Sequence, residues 1–121
     1  MIGEDEEILL KVLKEKFEKS GFEVLVATDG EQALEIIRRS KPEAVLLDII
    51  LPKKDGFEVL YEIRLDPELK SIPVIMLTNL GQDEDIKKAI RMGANDYIVK
   101  TQHPINEVVK KVKNLLMTKS K

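Results

Sequence analysis

Apolar residues along this chain fall into two patterns that alternate from end to end. Unbroken runs occur at Ala44-Val45-Leu46-Leu47 and Val74-Ile75-Met76-Leu77. Each is short for a helix, and a continuous apolar run marks a strand covered on both faces, as in a parallel sheet. Between the runs, apolar residues recur every three or four positions, the spacing of a helix with one buried face. The first helix is predicted over 4–20, with Ile8, Leu9, Val12, Leu13 and Phe17 on that face. A second runs to about Ser40 and buries Ala33, Leu34 and Ile37. A third follows Gly56, carries Val59, Leu60 and Ile63, and breaks at Asp66-Pro67. A fourth over 83–92 turns Ile86, Ala89 and Ile90 inward. The last has the cleanest period: Ile105, Val108, Val109, Val112, Leu115 and Leu116, with Pro104 suited to its first turn. Residues 22–28 and 96–99 read as shorter strands. Gly21 and Gly93 stand where helices end. Either Thr28 with Glu31 or Asp29 with Gln32 can cap the second helix. Strand and helix alternate throughout, which implies one parallel sheet with right-handed crossovers and helices on both faces.

Composition narrows the function classes. A chain of 121 residues is expected to form one domain, 1–121, with a real core. A formal net charge of -2 gives no basic field for direct nucleic-acid binding. Lys110, Lys111, Lys113 and Lys119 on the last helix read as a solvated face. No cysteine is present, so disulfides, thiolate metal sites and a Cys nucleophile are excluded, and a reducing compartment such as the cytoplasm suits the chain. No apolar stretch approaches membrane-spanning length, and the acidic start at 1–7 is unlike a signal peptide.

The candidate chemistry sits at strand ends. The stretch 44–56, AVLLDIILPKKDG, delivers Asp48 as its strand closes, and Pro52 stops further pairing. Asp48 is either a cap for the next element or a reacting carboxylate at the edge where open α/β sheets bind ligands. The next apolar strand ends in Thr78 and the one after it in Lys100. In a parallel sheet these ends lie along one rim. Glu4 and Asp5, at the start of the first helix, are expected there too. Three carboxylates together repel, and a divalent cation relieves them; all-oxygen ligands in a shallow, wet site favour Mg²⁺. Lys100 and Thr78 make sense if a phosphoryl group also sits there, with Asp48 as the nucleophile that accepts it.

At this point the chain resembles the receiver domain of two-component response regulators. The likeness covers nearly the whole sequence. It rests on Glu4-Asp5, on LLDIILPKKDG, PVIMLT and GANDYIVK, and on their order and spacing. The resemblance implies a flavodoxin-like, doubly wound α/β fold with strand order 2-1-3-4-5. It implies that Asp48 is the phosphoacceptor and that Asp5, Asp48, the carbonyl of Ile50 and Glu4 (directly or through water) hold Mg²⁺. Thr78 and Lys100 would hold the phosphoryl oxygens, and Tyr97 with Thr78 would form the switch. The domain would catalyse its own phosphorylation and dephosphorylation. Its partners would be a sensor histidine kinase and a downstream protein target or output domain. The alternative is a degenerate, non-phosphorylated receiver kept as a protein-binding module. A flavodoxin-type cofactor domain would need a phosphate loop and more aromatics than 4%, and a nucleotide hydrolase would need GxxxxGK[ST]; neither is present.

The chain also departs from that family. Only Met1-Ile2-Gly3 precede the acids, where a full central strand is expected. Three arrangements follow: a stub suffices, the second and third strands close up directly, or two chains exchange elements in a homodimer. Thr101 stands where the family has a cis proline, so a trans bond and a shifted Lys100 are expected. Asn79 narrows entry beside Thr78. Ile50 and Leu80 flank the site with apolar groups and are expected to slow water attack. His103, the only histidine, reads as a loop or cap residue. With no output domain after Lys121, the domain either acts alone or belongs to a longer chain.

Overall fold

The two unbroken apolar runs lie inside a five-stranded parallel sheet. The computed structural model describes residues 1–79, 83–100 and 104–119. In chain order these form β1 (Ile2–Gly3), α1 (Glu7–Lys19), β2 (Val26–Ala27), α2 (Gly30–Ser40), β3 (Val45–Asp48), α3 (Gly56–Leu65), β4 (Val74–Thr78), α4 (Asp83–Arg91), β5 (Asp96–Val99) and α5 (Ile105–Lys119). The strand order is β2-β1-β3-β4-β5, and every pairing is parallel.

The sheet separates two apolar layers, and alternation along its strands feeds both. Val45, Leu47, Val74 and Met76 join Leu34 and Ile37 of α2, Leu60 and Ile63 of α3 and Ala89 of α4. Leu46, Ile75 and Leu77 join Leu13 and Phe17 of α1 with Val108, Val109 and Val112 of α5. Every residue of β3 and β4 is buried, which is why their sequences show no polar alternation.

The stub suffices as an interior strand, second in the sheet between β2 and β3. Ile2 pairs with Val26 and Leu46, and Gly3 with Ala27 and Leu47, so β2 and β3 do not close up directly. Flanking backbone groups lengthen its ladder: Leu46 N–H donates to Met1 O at 2.8 Å and Glu4 N–H to Ala27 O at 3.0 Å. The sheet is therefore continuous within one chain. Gly3 allows close packing here, since a Cβ on it would lie 2.8 Å from Leu47 Cδ1.

Several predicted boundaries and faces shift. Helix α1 begins at Glu7, so Glu4 and Asp5 lie in the β1–α1 loop and not in its first turn. Ile8 is 82% exposed and Val12 38%, so the buried face of α1 centres on Leu13 and Phe17. The 22–28 strand shrinks to Val26–Ala27, because its partner β1 is itself only two residues long. On α4, Ala89 is buried but Ile90 faces solvent. The cap of α2 resolves to Asp29, whose Oδ1 accepts Gln32 N–H at 2.7 Å, while Gln32 Oε1 accepts Thr28 N–H at 2.8 Å. Asp55 caps α3 in the same way through Glu58 N–H.

Candidate functional site

The parallel register sets the carboxyl ends of β1, β3, β4 and β5 on one rim. Asp48 closes β3, Thr78 closes β4 opposite Val99, and Lys100 follows β5 directly. Lys100 N–H donates to Thr78 O at 2.7 Å, which ties the backbone of Lys100 to β4. Glu4 follows β1 directly. Glu4, Asp48 and Thr78 are all buried.

The ammonium of Lys100 is the hub. Its Nζ lies 2.9 Å from Asp48 Oδ2, 2.7 Å from Glu4 Oε1 and 3.6 Å from Glu6 Oε2. The other Asp48 oxygen, Oδ1, accepts Ile50 N–H at 3.2 Å, and Glu4 Oε2 accepts Glu6 N–H at 2.9 Å. Glu4 Oε1 is in ion-pair contact with the ammonium but lacks the alignment of a hydrogen bond. Burial pushes the Glu4 carboxyl above its usual range, and Asp48 adds to this; Lys100 and the Glu6 N–H offset it only in part. Burial pulls Lys100 down, but its close pairing with the Glu4 and Asp48 carboxylates outweighs it and the lysine rises.

Asp5 is exposed at the mouth of the site. It offers an oxygen that lies within 4.8 Å of oxygens from Glu4 and Asp48. Three carboxylates at that spacing suit a hard divalent cation, and the poorly partnered Glu4 Oε1 is an available oxygen in the same set. The donor chemistry therefore fits Mg²⁺.

The predicted residues divide by what the geometry brings together. Distances unite Glu4, Asp5, Asp48 and Lys100, and strand register adds Thr78. Ile50 is 58% exposed beside Asp48, and Asn79 is exposed next to Thr78. Tyr97 is half-buried on β5, opposite Met76, and packs against the α2–α3–α4 layer. Leu80, Thr101, Gln102 and His103 lie outside the described residues, and with them the expectations about apolar flanking at Leu80, the trans bond and the histidine. Sequence reasoning missed Glu6 as a neighbour of Lys100; the acidic run 4–7 was its only signal. It also missed Arg64, which donates to Gly93 O, Ile72 O and Asn95 Oδ1 and so ties α3 to the approaches of β4 and β5.

Comparison with known proteins agrees with this geometry. The family model for the response regulator receiver domain matches residues 1–113. The alkaline phosphatase synthesis transcriptional regulatory protein PhoP of Bacillus subtilis is 36% identical over 116 residues, which are 96% of this chain and 47% of that protein. The chain thus spans about half the length of the curated relatives it matches. The BeF3-activated receiver domain of Klebsiella pneumoniae RstA superposes with a TM-score of 0.87 at 32% identity, covering 95% of each chain. The receiver domain of a sensor histidine kinase from Pseudomonas aeruginosa, solved with magnesium in its active-site cleft, gives 0.86 at 27% identity, covering 95% of this chain and 93% of that one. No helix among the described residues is long and apolar enough to cross a membrane. By sequence, sheet order and the residues on its rim, this chain belongs to the response regulator receiver-domain family.

Proposed function

We propose that residues 1–121 act as a single phosphoacceptor receiver domain in which Asp48 takes a phosphoryl group from a sensor histidine kinase or a small phosphodonor. The observation that carries this reading is the Lys100 ammonium 2.9 Å from Asp48 Oδ2, beside the acidic trio of Glu4, Asp5 and Asp48. A carboxylate oxygen of Asp48 attacks phosphorus as the bond from phosphorus to the donor's nitrogen or oxygen breaks, leaving an aspartyl phosphate. Lys100 shifts from the carboxylates onto a phosphoryl oxygen, and the Thr78 hydroxyl donates to another. Asp5, Asp48, the Ile50 carbonyl and Glu4 would hold Mg²⁺, which when bound offsets negative charge on the carboxylates and the phosphoryl oxygens. Hydrolysis returns Asp48 and inorganic phosphate, and the domain's own residues position both reactions.

The new charge draws Thr78 and Tyr97 inward and changes the surface of β5 and its flanking helices. That surface then addresses a downstream protein target or an output domain, in the cytoplasm. A homodimer is one form the activated domain can take, and the continuous sheet within one chain gives no reason for strand exchange. The degenerate, protein-binding alternative is less well supported, because the acids, the lysine and the threonine are all present on one rim.

Incubation with Mg²⁺ and acetyl phosphate should add one phosphoryl group by intact mass, and Asp48→Ala should abolish it. An unchanged wild-type mass, or modification of the Asp48→Ala protein to the same extent, would overturn the reading.

A further inference from the structure

We propose that Glu6 selects among phosphodonors by their charge, as a movable carboxylate held at the mouth of the site against Lys100. The inference rests on the reading of Asp48 as phosphoacceptor. Glu6 occupies the N-cap of α1, where a side chain ordinarily accepts an N–H from the helix's first turn. It makes no such bond. Its Oε2 instead lies 3.6 Å from Lys100 Nζ, with the side chain 53% exposed. Its own N–H is fixed on Glu4 Oε2 at 2.9 Å, so the backbone is anchored while the carboxylate remains at the water boundary.

The three carboxylates around the ammonium therefore differ. Glu4 and Asp48 are buried, and each accepts a backbone N–H. Glu6 alone of the three is exposed. An incoming phosphodonor must take the ammonium that Glu6 also faces, and must do so beside its negative charge. That repulsion grows with the charge of the donor and weakens as salt screens it. A small dianion is disfavoured most. A donor that carries its own cation to the mouth is disfavoured least, because the cation pairs with Glu6.

The test compares acetyl phosphate, with two negative charges at neutral pH, and phosphoramidate, with a net charge of one. Initial phosphorylation rates are measured by intact mass at saturating Mg²⁺ and low ionic strength. Glu6→Gln should raise the acetyl phosphate rate about 3- to 10-fold and the phosphoramidate rate less, a gain that fades as salt is added. Glu6→Asp keeps the charge and should stay near the wild-type donor ratio. The wild-type ratio of acetyl phosphate to phosphoramidate rates should itself rise with salt, a reading that needs no variant. Equal changes with both donors, no change, or a salt-independent ratio would overturn the inference alone. No phosphorylation of the wild type with either donor would overturn the assignment of Asp48 and this inference with it.

Discussion

Two clusters in this molecule combine lysine with acids and reach opposite balances. On the α2–α3 surface, Lys54 and Arg38 share the single carboxylate of Glu62, with side chains 33%, 51% and 29% exposed. Cations outnumber the acid there, and the hydrogen bond from Lys54 holds the Glu62 carboxyl below its ordinary range. On the sheet rim, Lys100 is 8% exposed and faces Glu4 at 0% and Asp48 at 6%. Acids outnumber the cation there, and burial drives Glu4 the other way. The surface cluster is satisfied as built and screened by water, so it contributes little. At the rim two buried carboxylates share one buried ammonium, and a surplus of negative charge so placed suits a further cation.

Lys100→Ala would break the contrast most sharply. It leaves Glu4 and Asp48 together without their ammonium, and phosphorylation of Asp48 should fall about 100- to 1000-fold, as for loss of one preorganised charge at a reacting oxygen. Rates from intact mass with acetyl phosphate decide this, and a near wild-type rate would remove Lys100 from the chemistry.

Glu4→Gln comes next. It should weaken Mg²⁺ binding about 10-fold by calorimetry, the scale for loss of a supporting carboxylate. The metal-free variant should be no less stable than the wild type in urea. The raised Glu4 pKa means that the folded chain holds this proton more tightly than the unfolded chain. Its contribution to stability is full below the ordinary carboxyl value of 4.5 and is lost as pH climbs through the raised folded value. The wild-type minus Glu4→Gln difference in melting temperature should therefore decline on that rise, and saturating Mg²⁺ should flatten the decline. A difference that grows with pH in the metal-free protein would contradict the burial argument.

Glu62→Gln should have the smallest effect, about 0.2–1 kcal/mol, in line with exposed ion pairs. Here the sign reverses. The lowered Glu62 pKa gives stability that is present above 4.5 and lost as pH falls through the folded value. Phosphorylation should be unchanged. Opposite pH slopes for the two glutamates in urea titrations would sharpen the comparison, and parallel slopes would dissolve it.

What the sequence disclosed follows from how locally each feature is determined. The β3 and β4 runs were legible because burial on both faces leaves no polar alternation, and the period of α5 was legible because one face meets the sheet. The start of α1 was misread because acids suit a helix amino end and a rim loop equally well. Ile8 and Val12 were misplaced because apolar character permits burial without requiring it. The extent of β2 depends on β1, so its own composition could not set it. Asp48, Thr78 and Lys100 were readable as strand ends. The approach of Glu6 to Lys100 depends on where a cap residue sends its side chain, and the span of Arg64 to Gly93 crosses 29 positions; neither leaves a local pattern.

The two-residue β1 joins the β2 edge of the sheet to the β3–β4–β5 block, and it also delivers Glu4 to the rim. Breathing of that seam would carry the acidic loop away while Asp48 and Lys100 stay on the larger block. The brevity of one strand thus makes cohesion of the sheet and readiness of the site a single equilibrium, and deuterium uptake at the Glu4 amide would be its gauge.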